Sequence, residues 1–314
     1  MKNKLQIGIS ACVTGQQVRY DKSHKRSSFC MDELSEFVEF KPVCPEMAVG
    51  LPTPRPTIRQ ISVNDVIKVS RPDGSSDVTD AMTEFGQSHA KSNPQLAGFI
   101  FCAKSPSCGM ERVKVYQEDG KGSVSNGIGL FAEQIMKNNP LLPCEENGRL
   151  NDQVIRENFI TRIFTYQKWL DLSQEGITLH KLIEFHSSHK YLVMTHNIQR
   201  YKALGKLLAD PKDSIDIVAE NYISMLMETL TIKATRRGHT NTLQHLQGYF
   251  KKQLCAQRRE ELTQEIESYR LGLTPLLVPL TLIKHYMLEY PNDYLERQVY
   301  LSPHPKALRL RYGY

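Results

Sequence analysis

The stretch AGFIFCAKSPSCG, residues 97–109, leads from an apolar, strand-like run ending at Cys102 into a tight turn of small residues around Cys108. Three further segments share its β-branched or aromatic enrichment: LQIGIS at 5–10, FVEFKPV at 37–43 and VIKVS at 66–70. Between them, VTDAMTEFGQSHAKSN (78–93) has helical spacing, with Met82, Phe85 and His89 near one face. GIGLFAEQIMKNN (127–139) reads as a second helix, closed by Pro140, and Ser10 or Thr14 can open a short early one. Strands alternating with helices predict an α/β domain with a Rossmann-like parallel sheet over residues 1–150.

The periodicity changes at Asn151. NDQVIRENFITRIFTYQKWLDL (151–172) places Val154, Ile155, Phe159, Ile163, Phe164 and Tyr166 at helical intervals. Comparable helices are expected in TLHKLIEFHSSHKYLVMTHN, SIDIVAENYISMLMETLTI and TNTLQHLQGYFKKQL, and again near 258–270, with Pro275, Pro279 and Pro291 punctuating the end. Residues 151–314 are therefore expected to form an all-α domain, with PLLPCEENGRL (140–150) as the connector. No repeat of solenoid period is present.

With 40% hydrophobic and 24% charged residues in 314, the chain has the balance of a soluble protein, and no apolar run approaches a membrane span. Its start, MKNKLQIGISACV, reads as a buried strand rather than a signal peptide, and a cytoplasmic location is the expectation. The net charge of +6 is uneven. Residues 1–150 carry 18 Lys and Arg against 17 Asp and Glu, whereas residues 151–314 carry 22 against 17. That basic excess is compatible with a phosphate backbone as partner, and equally with a slightly basic soluble domain.

Seven cysteines, an odd number, argue against a disulfide framework in a cytoplasmic chain and leave free thiols or metal ligands, and without a CxxC pair there is no zinc-ribbon spacing. Cys12, Cys44 and Cys108 each follow a strand-like segment, in the turns SACVTG, VCPEM and SPSCG. In a parallel sheet the carboxyl ends of strands share one edge, so three thiols distant in sequence can converge there. Such a trio suits zinc, copper(I) or an iron–sulfur cluster, and a three-ligand site leaves one metal position open to substrate. The competing reading is three buried small hydrophobes. Glu46, two residues after Cys44, can activate water beside a metal or merely occupy the first turn of a helix starting at Pro45. Ser105 and Ser107 can contact a substrate or only shape the turn.

ISACVTG, VRYDKSHKR, PVCPEMAVGLPTPRPTIR and FCAKSPSCGMERVKVY together resemble the thiouracil desulfurase (TudS) family. The resemblance implies a 4Fe–4S cluster held by Cys12, Cys44 and Cys108, with a fourth iron left for the sulfur of a thiolated pyrimidine. It also implies catalytic roles for Glu46, Ser105 and Ser107. ENFITRIF, FHSSHKYLVMTHN, TRRGHTNTLQHLQGYFK, LLVPLTLIKHY and YLSPHPKALRLR look like the helical domain fused behind such desulfurases. Fused proteins of this kind resemble the RudS-type desulfidases of 4-thiouridine in transfer RNA. The reaction implied is a non-redox hydrolysis giving uridine and hydrosulfide. Free thiouracil or thionucleosides are the alternative substrates, and a cluster-bearing sensor is a third reading. One departure is YDKSHK, where Lys22 stands in place of the usual glycine after the aspartate.

For transfer RNA as partner, the expected contacts are Arg55 and Arg59 near Cys44, His186, His189 and Lys190 on one helical face, and Arg236 and Arg237 beside His239. His196 lies in the same histidine-rich segment, and no HExxH or carboxylate pattern accompanies these histidines to suggest a metal. Cys102 is expected in the core, and Cys30, Cys144 and Cys255 receive no role.

Overall fold

The computed structural model describes residues 4–209 and 211–311. The chain divides into two compact units, Met1–Asp152 and Gln153–Tyr314.

In the first unit, β1 (Leu5–Ser10), β2 (Val38–Val43), β5 (Gly98–Phe101) and β8 (Cys144–Glu146) form one sheet in the order β2-β1-β5-β8. All three pairings are parallel. β5 is buried along its whole length and β1 at all but one position, as in a sheet covered on both faces. Pro42, which cannot donate to a ladder, lies in the edge strand β2.

The remaining strands make a second four-stranded sheet, β4-β3-β6-β7, from β3 (Arg59–Val63), β4 (Val66–Ser70), β6 (Val113–Gln117) and β7 (Ser123–Gly127). The segment 66–70 is thus a strand, but in an antiparallel hairpin with β3 outside the parallel sheet. Residues 140–150, expected as a connector, instead supply β8, the edge strand beside β5. Its glutamates are buried because they hold neighbouring loops: Glu146 accepts from the Met110 amide at 2.9 Å, and Glu145 accepts from Arg149 Nε at 2.7 Å.

Helices α1 (Pro45–Ala48), α2 (Thr79–Ser92) and α3 (Leu130–Asn138) complete this unit. Phe85 of α2 stacks on Phe131 of α3, and Phe131 meets Phe99 of β5 edge-on, which joins the helix pair to the sheet. The first turn of α3 has amide groups with no partner inside the helix. They are satisfied by the Cys108 turn, since Phe131 N donates to Ser107 O at 3.0 Å and Gly129 N to Gly109 O at 2.7 Å. Gln60 of β3, fully buried, donates to Pro106 O at 3.0 Å and Ile128 O at 2.6 Å. The Cys108 turn is therefore pinned by a helix terminus and by a strand of the second sheet.

The second unit is helical among the described residues: α4 (Gln153–Gln174), α5 (Leu179–His196), α6 (Ile198–Ala209), α7 (Ile215–Thr231), α8 (Arg236–Gln247), α9 (Ala256–Leu271), α10 (Leu277–Glu289) and α11 (Asp293–Glu296). Its core is aromatic, with Tyr191, Tyr222, Tyr286, Tyr300, Phe159 and Phe250 almost wholly buried. α8 begins four residues before the TNTLQ segment because Thr235 caps it, accepting from Gly238 N at 3.1 Å. Pro279 does not end a helix: it sits in the first turn of α10, where a missing amide hydrogen costs nothing. No helix among the described residues is long and apolar enough to cross a membrane.

Gly129 tests how tightly the Cys108 turn is held. A Cβ there would stand 2.4 Å from the Ser107 carbonyl carbon and 2.6 Å from Cys108 N, both backbone atoms unable to swing aside. Gly129→Ala is expected to destabilise the first unit by about 1–3 kcal/mol, read as a lower urea midpoint. An unchanged midpoint would show that the helix-to-turn docking is loose.

Candidate active site

Each of the expected ligands sits just beyond the carboxyl end of a strand in the parallel sheet. Cys12 lies in the 3-10 turn Ala11–Thr14 after β1, Cys44 is the cap of α1 after β2, and Cys108 closes the turn after β5. They line one cavity of about 360 Å³ together with Glu46, Ser105 and a fourth cysteine, Cys102. Cys102, expected in the core, is buried yet faces this cavity. Its amide donates to Ser10 Oγ at 3.0 Å, and its thiol is 4.0 Å from the Ala103 carbonyl oxygen.

All three expected ligand thiols are pushed up from the ordinary cysteine range. For Cys12 the causes are the hydrogen bond with Cys102 and then burial. For Cys44 and Cys108 burial dominates, eased for Cys44 by the amides of Met47 and Glu46 and for Cys108 by the Ser10 hydroxyl. The shared hydrogen bond acts oppositely on Cys102, which is lowered. Buried thiols of this kind lose their protons only when a cation takes the proton's place. Among the described residues, no three His, Cys, Asp or Glu side chains are arranged to hold one metal ion. Three thiols on one cavity are a soft donor set, whose chemistry suits thiolate-bound iron or another soft metal.

Glu46, in the first turn of α1, is fixed through both oxygens. Arg55 Nε donates to Oε2 at 3.0 Å, with Nη2 on the same oxygen, and Ser107 Oγ donates to Oε1 at 2.9 Å. Arg55, expected to hold a phosphate, is buried, and its Nη1 is also spent on Pro52 O and Thr53 Oγ1 at 3.0 Å each. It orients Glu46 instead. Ser105 lines the cavity while its Oγ accepts from the amides of Ser107 and Cys108, at 3.2 and 3.1 Å. Ser107 is fully buried beneath it. Lys104, on the cavity wall, has a φ of 62°, and Lys22 in the adjacent loop has 59°, a region that favours glycine. The glycine that the resemblance leads one to expect at position 22 would suit that backbone.

The other expected RNA contacts are scattered. Arg59 lies in the second sheet with its guanidinium over Tyr116. His189 is buried against Phe185, with Nδ1 at 2.7 Å from the Phe185 carbonyl, so it cannot reach a ligand outside the helices. His186 is half-buried, within 3.3 Å of the Tyr222 hydroxyl, and burial lowers it to about 4, so it carries no charge at neutral pH. Lys190 rests over Tyr191, and Arg236 over Tyr269, whose carbonyl accepts from it. His196 and His239 line a small pocket of the second unit with Glu157 and Arg311. Arg237 is exposed. Reasoning from spacing missed Cys102, Ser10, Gln60 and Glu146. Only the six-residue interval between Cys102 and Cys108 hinted at the first of them.

Residues 7–147 match the family model described as 2-thiouracil desulfurase, and residues 190–305 match one described as a protein of unknown function (DUF1722). A relative named "Uncharacterized protein YbgA", from Escherichia coli (strain K12), is 34% identical over 166 residues, 52% of this chain and 98% of its own length. A solved structure of the 4Fe-4S-dependent thiouracil desulfidase TudS shares 27% identity, covering 47% of this chain and 94% of the other at a TM-score of 0.40.

The buried histidines give the second unit a pH dependence. Burial lowers His189 and His239 to about 3 each, against about 6.5 for an unfolded histidine. Between those limits the unfolded chain binds the extra protons, so stability falls as pH drops from about 6.5 toward 3. The urea midpoint of this unit should decrease steadily from pH 7.5 to pH 5, with a shallower slope in His189→Gln. A flat profile would place these imidazoles in water.

Proposed function

The chain belongs to the YbgA family and carries a 2-thiouracil desulfurase domain ahead of the shared helical unit, and from that premise we propose an iron–sulfur desulfidase acting on 4-thiouridine in transfer RNA. The observation that carries this reading is the convergence of Cys12, Cys44 and Cys108 on one cavity beside a carboxylate held at both oxygens. A 4Fe–4S cluster held by those three thiolates would supply a Lewis-acidic iron for the sulfur of a thiopyrimidine.

The protein's own groups account for the rest. Glu46, aimed by Arg55 and Ser107, takes a proton from a water that attacks the carbon bearing sulfur. The carbon–oxygen bond forms, the carbon–sulfur bond breaks, and sulfur leaves as hydrosulfide with no net electron transfer. Ser105 lines the cavity wall and would meet the pyrimidine. The net +5 of residues 151–314 supports an RNA backbone as partner, with exposed Lys233, Arg237, Lys251 and Lys252 available as phosphate contacts.

Anaerobically reconstituted protein is expected to lower the 4-thiouridine content of bulk transfer RNA, with affinity that falls steeply as salt rises. Turnover of free thiouracil with transfer RNA untouched would assign the enzyme to free thiobases instead. Cys12→Ala, Cys44→Ala or Cys108→Ala should each abolish the brown absorbance of the cluster. Glu46→Ala should keep that absorbance and lose about 100-fold or more in turnover. Full activity in Glu46→Ala would remove Glu46 from the role of base.

A further inference from the structure

The second unit has a pocket of about 50 Å³ that the reaction above does not use, lined from α4, the end of α5, the α7–α8 connection, the first turn of α8 and Arg311. Four of its lining side chains can meet an anion. Lys233 is exposed. Arg311 spends Nε on Glu157 Oε1 at 2.9 Å and Nη1 on Tyr300 O at 2.7 Å, which leaves Nη2 for the cavity it lines. Each imidazole is fixed by a contact at Nδ1: that of His196 donates to Ile232 O at 2.5 Å, and that of His239 lies 3.0 Å from the Tyr300 hydroxyl. Their Nε2 atoms are the ones left to a ligand. The start of α8 lies here too, and the amide end of a twelve-residue helix favours negative charge. Glu157 is the one carboxylate among the lining residues, and Arg311 already pairs with it.

Size narrows the ligand. A buried water needs about 10–15 Å³, so this pocket takes roughly three to five small atoms. That suits a tetrahedral oxyanion and is far too small for a nucleobase or a drug-sized molecule. A metal ion is a poorer match, since no three His, Cys, Asp or Glu among the described residues are arranged around one position. We infer that this pocket binds a phosphate or sulfate group between Lys233, Arg311 and the imidazoles of His196 and His239. Such a group comes as a free ion or within an RNA backbone. The site stands independently of the iron–sulfur reading.

Binding should draw protons in. Burial, with Arg311, lowers His239 to about 3, and burial lowers His196 as well. The charges facing the two rings are Glu157 and Arg162 of α4, Arg236 of α8, Lys233 and Arg311. Only Glu157 among these is negative, so an added anion shifts both imidazoles toward their protonated forms. Uptake of one proton tightens binding about tenfold for each pH unit of fall.

The test is calorimetric titration of the full chain with sodium sulfate at constant ionic strength, because sulfate keeps its charge between pH 6 and pH 7.5. Wild type is expected to bind one equivalent, more tightly at pH 6. Lys233→Ala leaves the buried contacts in place and should weaken binding about tenfold or more. Lys202→Ala, at an exposed lysine of α6 outside the pocket, should leave it unchanged. His196→Gln keeps a donor for Ile232 O and should reduce the pH dependence. No saturable sulfate binding in wild type, or equal affinity in wild type and Lys233→Ala, would overturn the site. Displacement of sulfate by transfer RNA would assign the pocket to a backbone phosphate, whereas sulfate retained under saturating transfer RNA would assign it to a free ion.

Discussion

The parallel register of β1 between β2 and β5 is the constraint on which the site depends. Ile7 pairs with Phe40 on one side and Gly98 on the other, so the strands run level and finish together. Because they finish together, the turns bearing Cys12, Cys44 and Cys108 emerge at one edge. The close approach has a local requirement. A Cβ on Gly8 would stand 2.3 Å from the Phe99 ring, so glycine is what lets Phe99 lie over β1 and stack on Phe101. A shift of one residue between β1 and β5 would move the cavity wall and reverse which side chains face it.

That edge gathers four thiols and a carboxylate in a partly closed cavity, an arrangement that resists negative charge. The protein answers with neutral thiols and with Arg55, buried against Glu46. Arg19 and Lys25 add positive field near Cys102. A cationic cluster would then enter by displacing protons from thiols already surrounded by donors, which couples its binding to pH and to the integrity of the sheet edge. The same donors that ease Cys44 and Cys108 here are the groups that would face ligand sulfurs.

How much of this was legible follows from what each signal encodes. β1, β2 and β5 were visible because apolar runs ending in cysteine-bearing turns announce buried strands and their exits. The second sheet was legible only at β4, read as VIKVS, since SVSNG (123–127) is exposed and polar. In the first sheet β8 escaped notice, being three residues long with two acidic side chains. Its glutamates are buried for what they hold, namely the Met110 amide and Arg149, and no periodicity records that. The basic residues failed for the same reason. Arg55 and His189 look like surface charge in a string of letters, and only tertiary contacts reveal them as internal partners of Glu46 and Phe185. Lys22 has a φ of 59°, a conformation that lysine itself does not announce.

These internal contacts also change what the basic excess of the second half can do. Arg200, Arg258 and Arg270 pair with Glu228, Glu289 and Glu267, and Arg311 is buried on Glu157. Much of the arginine is therefore committed to the fold, and the freely exposed cations include the lysines at 233, 251 and 252. Lysine is a point charge on a flexible stem, suited to a phosphate backbone and poorly suited to bidentate recognition of one base. In the proposed reaction the helical unit would then supply affinity that salt screens, with little discrimination among sequences. Choice of the thiolated base would fall to the cavity, where sulfur is the one feature of 4-thiouridine that soft metal chemistry separates from uridine.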